Sequence, residues 1–354
     1  MTTLTKPETK PESPTNARAQ NALLRALGFF FRARETSILI ALILVIVVTT
    51  LMNPNFIFSS DGWRDLLLTP SILVLVAIGQ AIVIVTRSVD LSVGSTLGLT
   101  AYLTGRLFIE IPGIPIIVVF LAGIVFGGVL GLINGALVAF AKVPALVITL
   151  GTLYAYRGIN VWWTGGSRIN ASDMPADFLA LGTGSIFSIP LLTIIALIVL
   201  VAAGWYMRNT RGGREFYAIG SEPAAAELYG LKVTKRILIA FVACGALTGL
   251  AGVLYAARYG TISSQAGSGF ELDAVGAAVI GGVAIFGGSG TVWGAALGAA
   301  LLLTINRALP ILRVPDFWQR AVVGALIIGA IVLDRVLARR QSRRLLEARD
   351  DSNE

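Results

Sequence analysis

Apolar residues run along this chain in long blocks broken by short polar interruptions, the pattern of helices that cross a bilayer, each needing about 20 residues. Ten such runs can be drawn, at 37–52, 70–86, 91–109, 116–140, 144–163, 188–207, 237–258, 272–288, 291–309 and 318–337. The expected fold is an all-α integral membrane protein, polytopic, with about ten transmembrane helices. The runs within 272–309 are short enough to be re-entrant instead. An even number of spans places both termini on one side. A tail over 1–36, rich in Thr, Pro, Glu, Lys and Arg, reads as disordered; a transmembrane domain over 37–340 and a second tail over 341–354 follow. The first apolar run starts too late for a cleaved signal peptide and lacks a small-residue cleavage pattern.

One long polar passage, 208–236, interrupts the runs. Ser221 is a natural N-cap, Glu222 and Pro223 suit a first helical turn, and Gly230 suits the left-handed residue after a helix end. A helix of about two turns is predicted, with Ala224, Ala225, Leu228 and Tyr229 forming one flat apolar face. So short a helix is marginal in water and must rest on something: the protein's own helix ends, or another protein.

Three features lie inside the runs. Gly123, Gly127, Gly131 and Gly135 are spaced by four and form a ridge without side chains, suited to close helix packing; Gly245 with Gly249 and Gly294 with Gly298 repeat the theme. Residues 70 to 109 as one helix would span about 60 Å, twice the bilayer core, so a break is required. It falls at Arg87-Ser-Val-Asp90-Leu-Ser-Val-Gly94, either as a turn at the membrane surface or as a broken helix whose backbone faces a cavity. In the fifth run Thr149, Thr152, Tyr156, Asn160 and Trp163 fall within about an 80° arc. Such a polar stripe faces the protein interior, where it lines a path for a polyol or bonds neighbouring helices. Asn134, Asn306 and Arg157 are weaker additions, and Asp273 is expected to be an N-cap.

Charge then sets orientation. The chain carries 28 Lys and Arg against 20 Asp and Glu, a net +8, which would suit nucleic acid were the cations spread as a face. In the ten-span drawing, however, 20 of the 28 fall on one side, in the tails, at Arg87 and Lys142 and in 208–236. That side is expected to be cytoplasmic. No nucleic-acid partner is implied; the lipid bilayer is. Asp61, Asp65, Glu110, Asp173, Asp177, Glu271 and Asp316 fall in the opposite loops. A single cysteine, Cys244, excludes internal disulfides and Cys-based clusters, and the absence of histidine removes His-based catalysis. No metal site, catalytic constellation or phosphate-binding loop is present, Gly-Lys never occurring. No acid is placed at mid-membrane, which weighs against an ion-coupled secondary sugar carrier, the alternative reading.

Taken with the central loop, Asp90-Leu-Ser-Val-Gly94, Ile133-Asn-Gly-Ala-Leu137, Pro144-Ala-Leu-Val-Ile-Thr-Leu-Gly151 and Phe286-Gly-Gly-Ser-Gly-Thr-Val-Trp-Gly294 resemble, in order and spacing, the ribose/xylose-type permeases of bacterial ABC importers. The likeness covers about Phe29 to Arg340. It implies a non-enzymatic permease subunit in the bacterial cytoplasmic membrane, importing a monosaccharide such as a pentose. Implied partners are a second permease copy, an ATP-binding subunit that carries the ATP and Mg²⁺, and an extracytoplasmic sugar-binding protein. This chain would bind no cofactor itself. By resemblance the stretch Gly220 to Gly230 is the coupling helix, with Gly220, Ser221, Glu222, Ala224, Ala225, Tyr229 and Gly230 against the ATPase. Asp90 and Asn134 join the substrate path beside the fifth-run stripe.

Overall fold

The computed structural model describes residues 34–59, 61–141 and 143–315, with 317–319, 321–322, 324–325, 328–329 and 332 beyond them. Of the predicted N-terminal tail, 1–33 lies outside the described residues and 34–36 opens the first helix. The C-terminal tail 341–354, Lys142, Asp316 and much of the apolar run 318–337 also lie outside them.

The chain is built of helices α1 (Arg34–Met52), α2 (Asn55–Phe58), α3 (Gly62–Leu68), α4 (Pro70–Val85), α5 (Val93–Glu110), α6 (Ile116–Ala141), α7 (Ala145–Thr164), α8 (Ala176–Thr183), α9 (Leu191–Asn209), α10 (Arg211–Ser221), α11 (Pro223–Leu228), α12 (Val233–Tyr259), α13 (Phe270–Ile280) and α14 (Val292–Ile311). A small hairpin of β1 (Ser185–Ile186) and β2 (Ile189–Pro190) precedes α9. Among the described residues, six helical stretches are long and apolar enough to cross a membrane: Glu35–Met52, Gly62–Val85, Ile116–Ala141, Leu191–Asn209, Val233–Tyr259 and Val292–Ile311. The chain is an all-α, multi-pass membrane protein.

The eighth apolar run departs from its expected limits. Only Phe270–Ile280 is helical, about 16 Å at 1.5 Å per residue, half of what a span needs. Gly281, Gly282, Gly287, Gly288 and Gly290 turn the chain in the rest of that run and just beyond it, four of them with positive φ. The ninth run forms the full 20-residue α14.

α4 lies at the centre, buried on nearly all sides and sheathed by α9, α12, α13 and α14. Around it, α1, α6 and α9 turn Leu44, Leu51, Leu121, Val125 and Ile198 outward, as lipid-facing helices do. The glycine ridge of α6 packs backbone to backbone on α12. A Cβ on Gly127 would lie 2.3 Å from the Gly245 carbonyl oxygen, one on Gly131 2.2 Å from that of Phe241, and one on Gly249 2.2 Å from that of Gly123. With no hydrophobic force between helices in lipid, such close van der Waals contact is what holds them. Gly294 and Gly298 repeat the device between α14 and α13, facing Gly281 and Ala277.

Candidate functional site

Two chain breaks enter the bundle from opposite ends and meet in its middle. The first follows α4. Its last residue, Val85, is at the end of the bundle that carries the polar stretch 208–236: the Gly288 N–H donates to the Val85 carbonyl at 2.9 Å, and a Cβ on Gly220 would fall 1.7 Å from that same oxygen. Arg87 then takes φ +63°, a strained value for a side-chain-bearing residue. It reverses the chain, so that Asp90 comes back beside Gln80, about a third of the way along α4 from its Val85 end. With the Gln80 amide turned to match donor with acceptor, its nitrogen donates to the Asp90 carbonyl and its oxygen accepts from the Asp90 N–H, both at 3.3 Å. Gln80 neighbours Gly79, which packs on Cys244 near the centre of α12. The break is therefore deep rather than a surface turn.

A buried polar network supports this non-helical backbone. Asp90 Oδ1 accepts from Ser92 N at 2.9 Å and from Ser92 Oγ at 2.7 Å. Asn134 Nδ2 of α6 donates to Ser92 Oγ at 2.6 Å and lies 3.4 Å from both Asp90 carboxylate oxygens. The Tyr156 hydroxyl sits 3.2 Å from Asn134 Oδ1 and 3.1 Å from the Leu130 carbonyl. Thr149 Oγ1 donates to the Val89 carbonyl at 3.0 Å, and Ser95 Oγ to that of Leu153 at 2.9 Å. Inside a bilayer each of these groups must find a protein partner, because water is absent. The network brings together Asp90 of the break with Asn134 of α6 and Thr149 and Tyr156 of α7.

The second break follows α12. Gly260 (φ +63°) ends the helix, Ile262 bridges antiparallel to Ile169, and the chain turns inward through Ala266 and Gly267 to the start of α13. A Cβ on Gly267 would fall 2.2 Å from the Gly94 carbonyl, so the two breaks touch. α7 clamps the second break: Asn160 Nδ2 donates to the Ser264 carbonyl at 3.2 Å and Arg157 Nη1 to that of Ala266 at 2.8 Å. Thr152 bonds within its own helix, at 3.3 Å to the Thr149 carbonyl, and Trp163 packs edge-on against Tyr102 at 5.2 Å. The stripe thus faces inward, as its spacing predicts, and seals α7 to both breaks. Arg157 points inward rather than to the membrane surface. Asn306 forms no part of this network.

Two sequence expectations are corrected here. Glu271 is not a loop acid: it stands in the first turn of α13, against Gly94 of α5, and Asp90 lies at mid-bundle. Acids are therefore present inside the membrane domain. Nor does Asp273 cap α13; the cap is Gly269, at φ +93°.

The polar stretch forms a handle at the bundle end. α10, which hydropathy alone does not reveal, is capped by Thr210 Oγ1 accepting from Gly213 N at 3.0 Å and buries Gly213, Phe216, Ile219 and Gly220 on one face. Ser221 closes α10 instead of capping the next helix. Glu222 is the N-cap of α11, without a side-chain cap bond, and Pro223 opens it. Gly230 has φ +78°, as expected after a helix end. Of the predicted face, Ala224 is exposed and Ala225 half-buried, while Leu228 and Tyr229 are 90% and 87% exposed; Ala226 anchors the helix inward.

The handle is fastened to the first break. Arg87 Nε donates to the Gly220 carbonyl at 2.6 Å and its Nη2 to that of Ser221, a cation on the carbonyl end of a helix dipole. The Tyr217 hydroxyl reaches the Gly290 carbonyl at 3.0 Å. Hydrogen bonds thereby join the α10–α11 handle, the turn before α14 and the non-helical segment leading to Asp90.

On its other side α10 is held to α12 by Glu215, whose carboxylate accepts from Arg236 and Arg211. The Arg236 guanidinium, then that of Arg211, holds the Glu215 carboxyl below its ordinary value of 4.5. A depressed carboxyl stabilises the fold fully above its unfolded value and ceases to do so as pH falls through its folded one. The thermal midpoint of the purified protein is expected to fall below about pH 4.5, and Glu215→Gln to lower the neutral-pH midpoint and flatten that acid limb.

Membrane-length helices thus enclose two chain breaks, with a polar handle tied to one of them, and similarity to known proteins gives this arrangement its class, a permease. Residues 64–331 match the family described as branched-chain amino acid transport system / permease component. The chain is similar to the autoinducer 2 import system permease protein LsrC of Yersinia pseudotuberculosis serotype O:1b (strain IP 31758), 36% identical over 308 residues, 87% of this chain and 86% of that one. It is likewise similar to LsrC of Enterobacter sp. (strain 638), 36% over 302 residues (85% and 86%), and of Salmonella typhimurium, 36% over 326 residues (91% and 92%). No solved structure matches. The chain belongs to this family of permease components. It is the membrane-spanning subunit of an ABC importer, with ATP hydrolysis on a separate subunit. Membership decides against the secondary carrier, a decision that the supposed lack of a mid-membrane acid does not support.

Proposed function

We propose that this chain is one half of a dimeric permease in the bacterial cytoplasmic membrane. It crosses the membrane ten times, the eighth crossing made by the second break and the short α13 together, with both termini inside, and passes a monosaccharide or a sugar-like furanose such as autoinducer 2 from an extracytoplasmic binding protein to the cytoplasm. The observation that carries the reading is the fastening of α10–α11 to the Asp90 break through Arg87 and Gly220. An ATPase that grips Ala224, Ala225, Leu228 and Tyr229 pulls on non-helical backbone at the centre of the membrane domain. The cytoplasmic side is that of the handle, on which the basic residues gather.

The path runs along the seam between α7 and the two breaks, with Asp90, Asn134, Thr149, Thr152, Tyr156, Asn160 and Trp163 beside it. Discontinuous helices meeting at mid-membrane are where transporters bind substrate. Support for a second copy comes from the opposite face of α7. Gly151 and Gly158 there have no atom within 4 Å of a built Cβ, and Leu150, Tyr154 and Trp162 are exposed around them. A smooth helix face of this kind admits a second backbone closely.

Ala225→Arg, which places a cation and a long side chain at a half-buried position of the docking face, is expected to reduce ATPase activity stimulated by loaded binding protein at least about tenfold, a 1.4 kcal/mol effect. Membrane insertion should be unaffected. Unaltered stimulation would remove α11 as the docking helix.

A further inference from the structure

Among the described residues, two acceptor-only oxygens inside the bundle have no donor. Asn160 is fully buried and gives its Nδ2 to Ser264, yet its Oδ1 has no partner. Glu271 receives the Gly269 N–H on Oε1 at 3.2 Å, while its Oε2, sealed from solvent, has none. Both lie on one face of α5. A Cβ on Gly94 would stand 1.9 Å from Glu271 Oε2, and one on Gly98 3.3 Å from Asn160 Nδ2. Residues four apart on a helix are neighbours, about 6 Å between Cβ positions. Gly94 makes room for the Glu271 carboxylate, and one turn on Gly98 makes room chiefly for the Ala266 carbonyl, with the Asn160 amide beside it.

Buried polar atoms are almost always paired, and an orphaned one carries its full desolvation cost. Here two orphans share the contact between the breaks, in the part of the fold that is not held by helical hydrogen bonds. They are acceptors only. A ligand that relieves both must bring two donors about a helical turn apart and no anionic group, since an anion would face the Glu271 carboxylate. Two non-adjacent hydroxyls of a neutral polyol, three or four carbons apart along its chain or across its ring, meet that requirement. A zwitterionic amino acid would bring its own carboxylate beside that of Glu271, and Arg157 Nη1 is already committed to the Ala266 and Ser264 carbonyls.

We propose that Asn160 Oδ1 and Glu271 Oε2 form a hydroxyl-accepting subsite for a neutral polyol, occluded in this closed seam and exposed when α7 parts from Ser264. The proposal rests on the permease reading and names the chemistry of its cargo. A solute can shift an equilibrium only by its differential affinity for the two states. Supplying hydroxyl donors to atoms left unpaired in the closed seam is such a difference.

The test is uptake by vesicles holding the complete complex, using D-ribose, autoinducer 2, 2-deoxy-D-ribose and leucine as separate probes. Wild type is expected to move a hydroxyl-rich probe. Glu271→Gln, which exchanges an acceptor for a donor at constant size, should cut that flux about tenfold or more, with less effect on the deoxy sugar than on ribose if ribose is the probe moved. Asn160→Asp loses the Ser264 bond but keeps acceptor oxygens, and should retain more flux than Asn160→Leu. Co-purification of the subunits checks assembly of each variant. Wild-type flux with both Glu271→Gln and Asn160→Leu at the parental rate overturns the subsite and leaves the permease reading standing. Flux of leucine alone does the same. No ATP-dependent flux of any probe by wild type sinks the permease reading, and the subsite with it.

Discussion

Leucine in place of Gly127 is expected to leave no assembled membrane domain. Even the first carbon of its side chain would fall 2.3 Å from the Gly245 carbonyl and 2.7 Å from Gly249 Cα. Ordinary contact needs about 3.5 Å, and both obstacles are backbone, so no rotamer change relieves them. α6 and α12 must separate along their length, which breaks the reciprocal contacts at Gly123, Gly131 and Gly249. Overpacking of a rigid interior costs about 1–3 kcal/mol and more when backbone must move. Gly127→Ala should therefore lower the thermal midpoint of the detergent-purified protein, and Gly127→Leu should abolish the monodisperse species. Gly158→Leu, at a glycine with open space around it, should keep the monomer fold intact. Equal stability of the Gly127 and Gly158 variants would remove the ridge as the main joint of the bundle.

The second large effect is expected at Arg87. Its guanidinium carries two hydrogen bonds from the Asp90 break to the end of α10, and bonds to charged groups are worth about 1.5–3 kcal/mol each. Arg87→Ala should leave an assembled complex that hydrolyses ATP at its basal rate, with stimulation by loaded binding protein and uptake falling about tenfold or more. Arg87→Gly separates two causes, because glycine relieves the φ of +63° yet has no fork. It should uncouple as alanine does. Arg87→Lys, a point charge without the planar fork, should be intermediate. Normal stimulation in Arg87→Gly would show that the guanidinium does not carry the signal and that the loss in Arg87→Ala comes from the turn's backbone.

The sequence made some of this visible for reasons that are physical. Spacing by four identified the Gly123–Gly135 ridge, since only backbone is left on that face, and Pro223 with Gly230 bracketed α11, whose ends need a missing N–H and a positive φ. Other features were hidden by the same residues that create them. Gly212, Gly213 and Gly220 make α10 read as loop, although Gly213 and Gly220 are contact points on its buried face: Gly213 on Tyr206 and Met207, Gly220 on Val85 and Gly288. Gln80 is one amide within an apolar run, and its partner is the backbone of Asp90, which no side-chain pattern reports. The depth of the break was undecided from composition because a surface turn and an inserted segment use the same Ser, Asp and Gly. Long-range pairing by Gln80, Asn134 and Thr149 decides it. Glu271 followed a polar loop and was counted with it, whereas the Gly267–Gly269 turn carries it inward.

At the centre of the account is a conduit that has no motor of its own. The most direct measurement is solute accumulation in sealed vesicles, comparing the purified chain alone with the chain assembled with its ATP-binding subunit and loaded binding protein. Uphill uptake should appear only in the assembled vesicles, require ATP, and be lost with Arg87→Ala. Uphill accumulation by the chain alone, driven by an ion gradient, would contradict it.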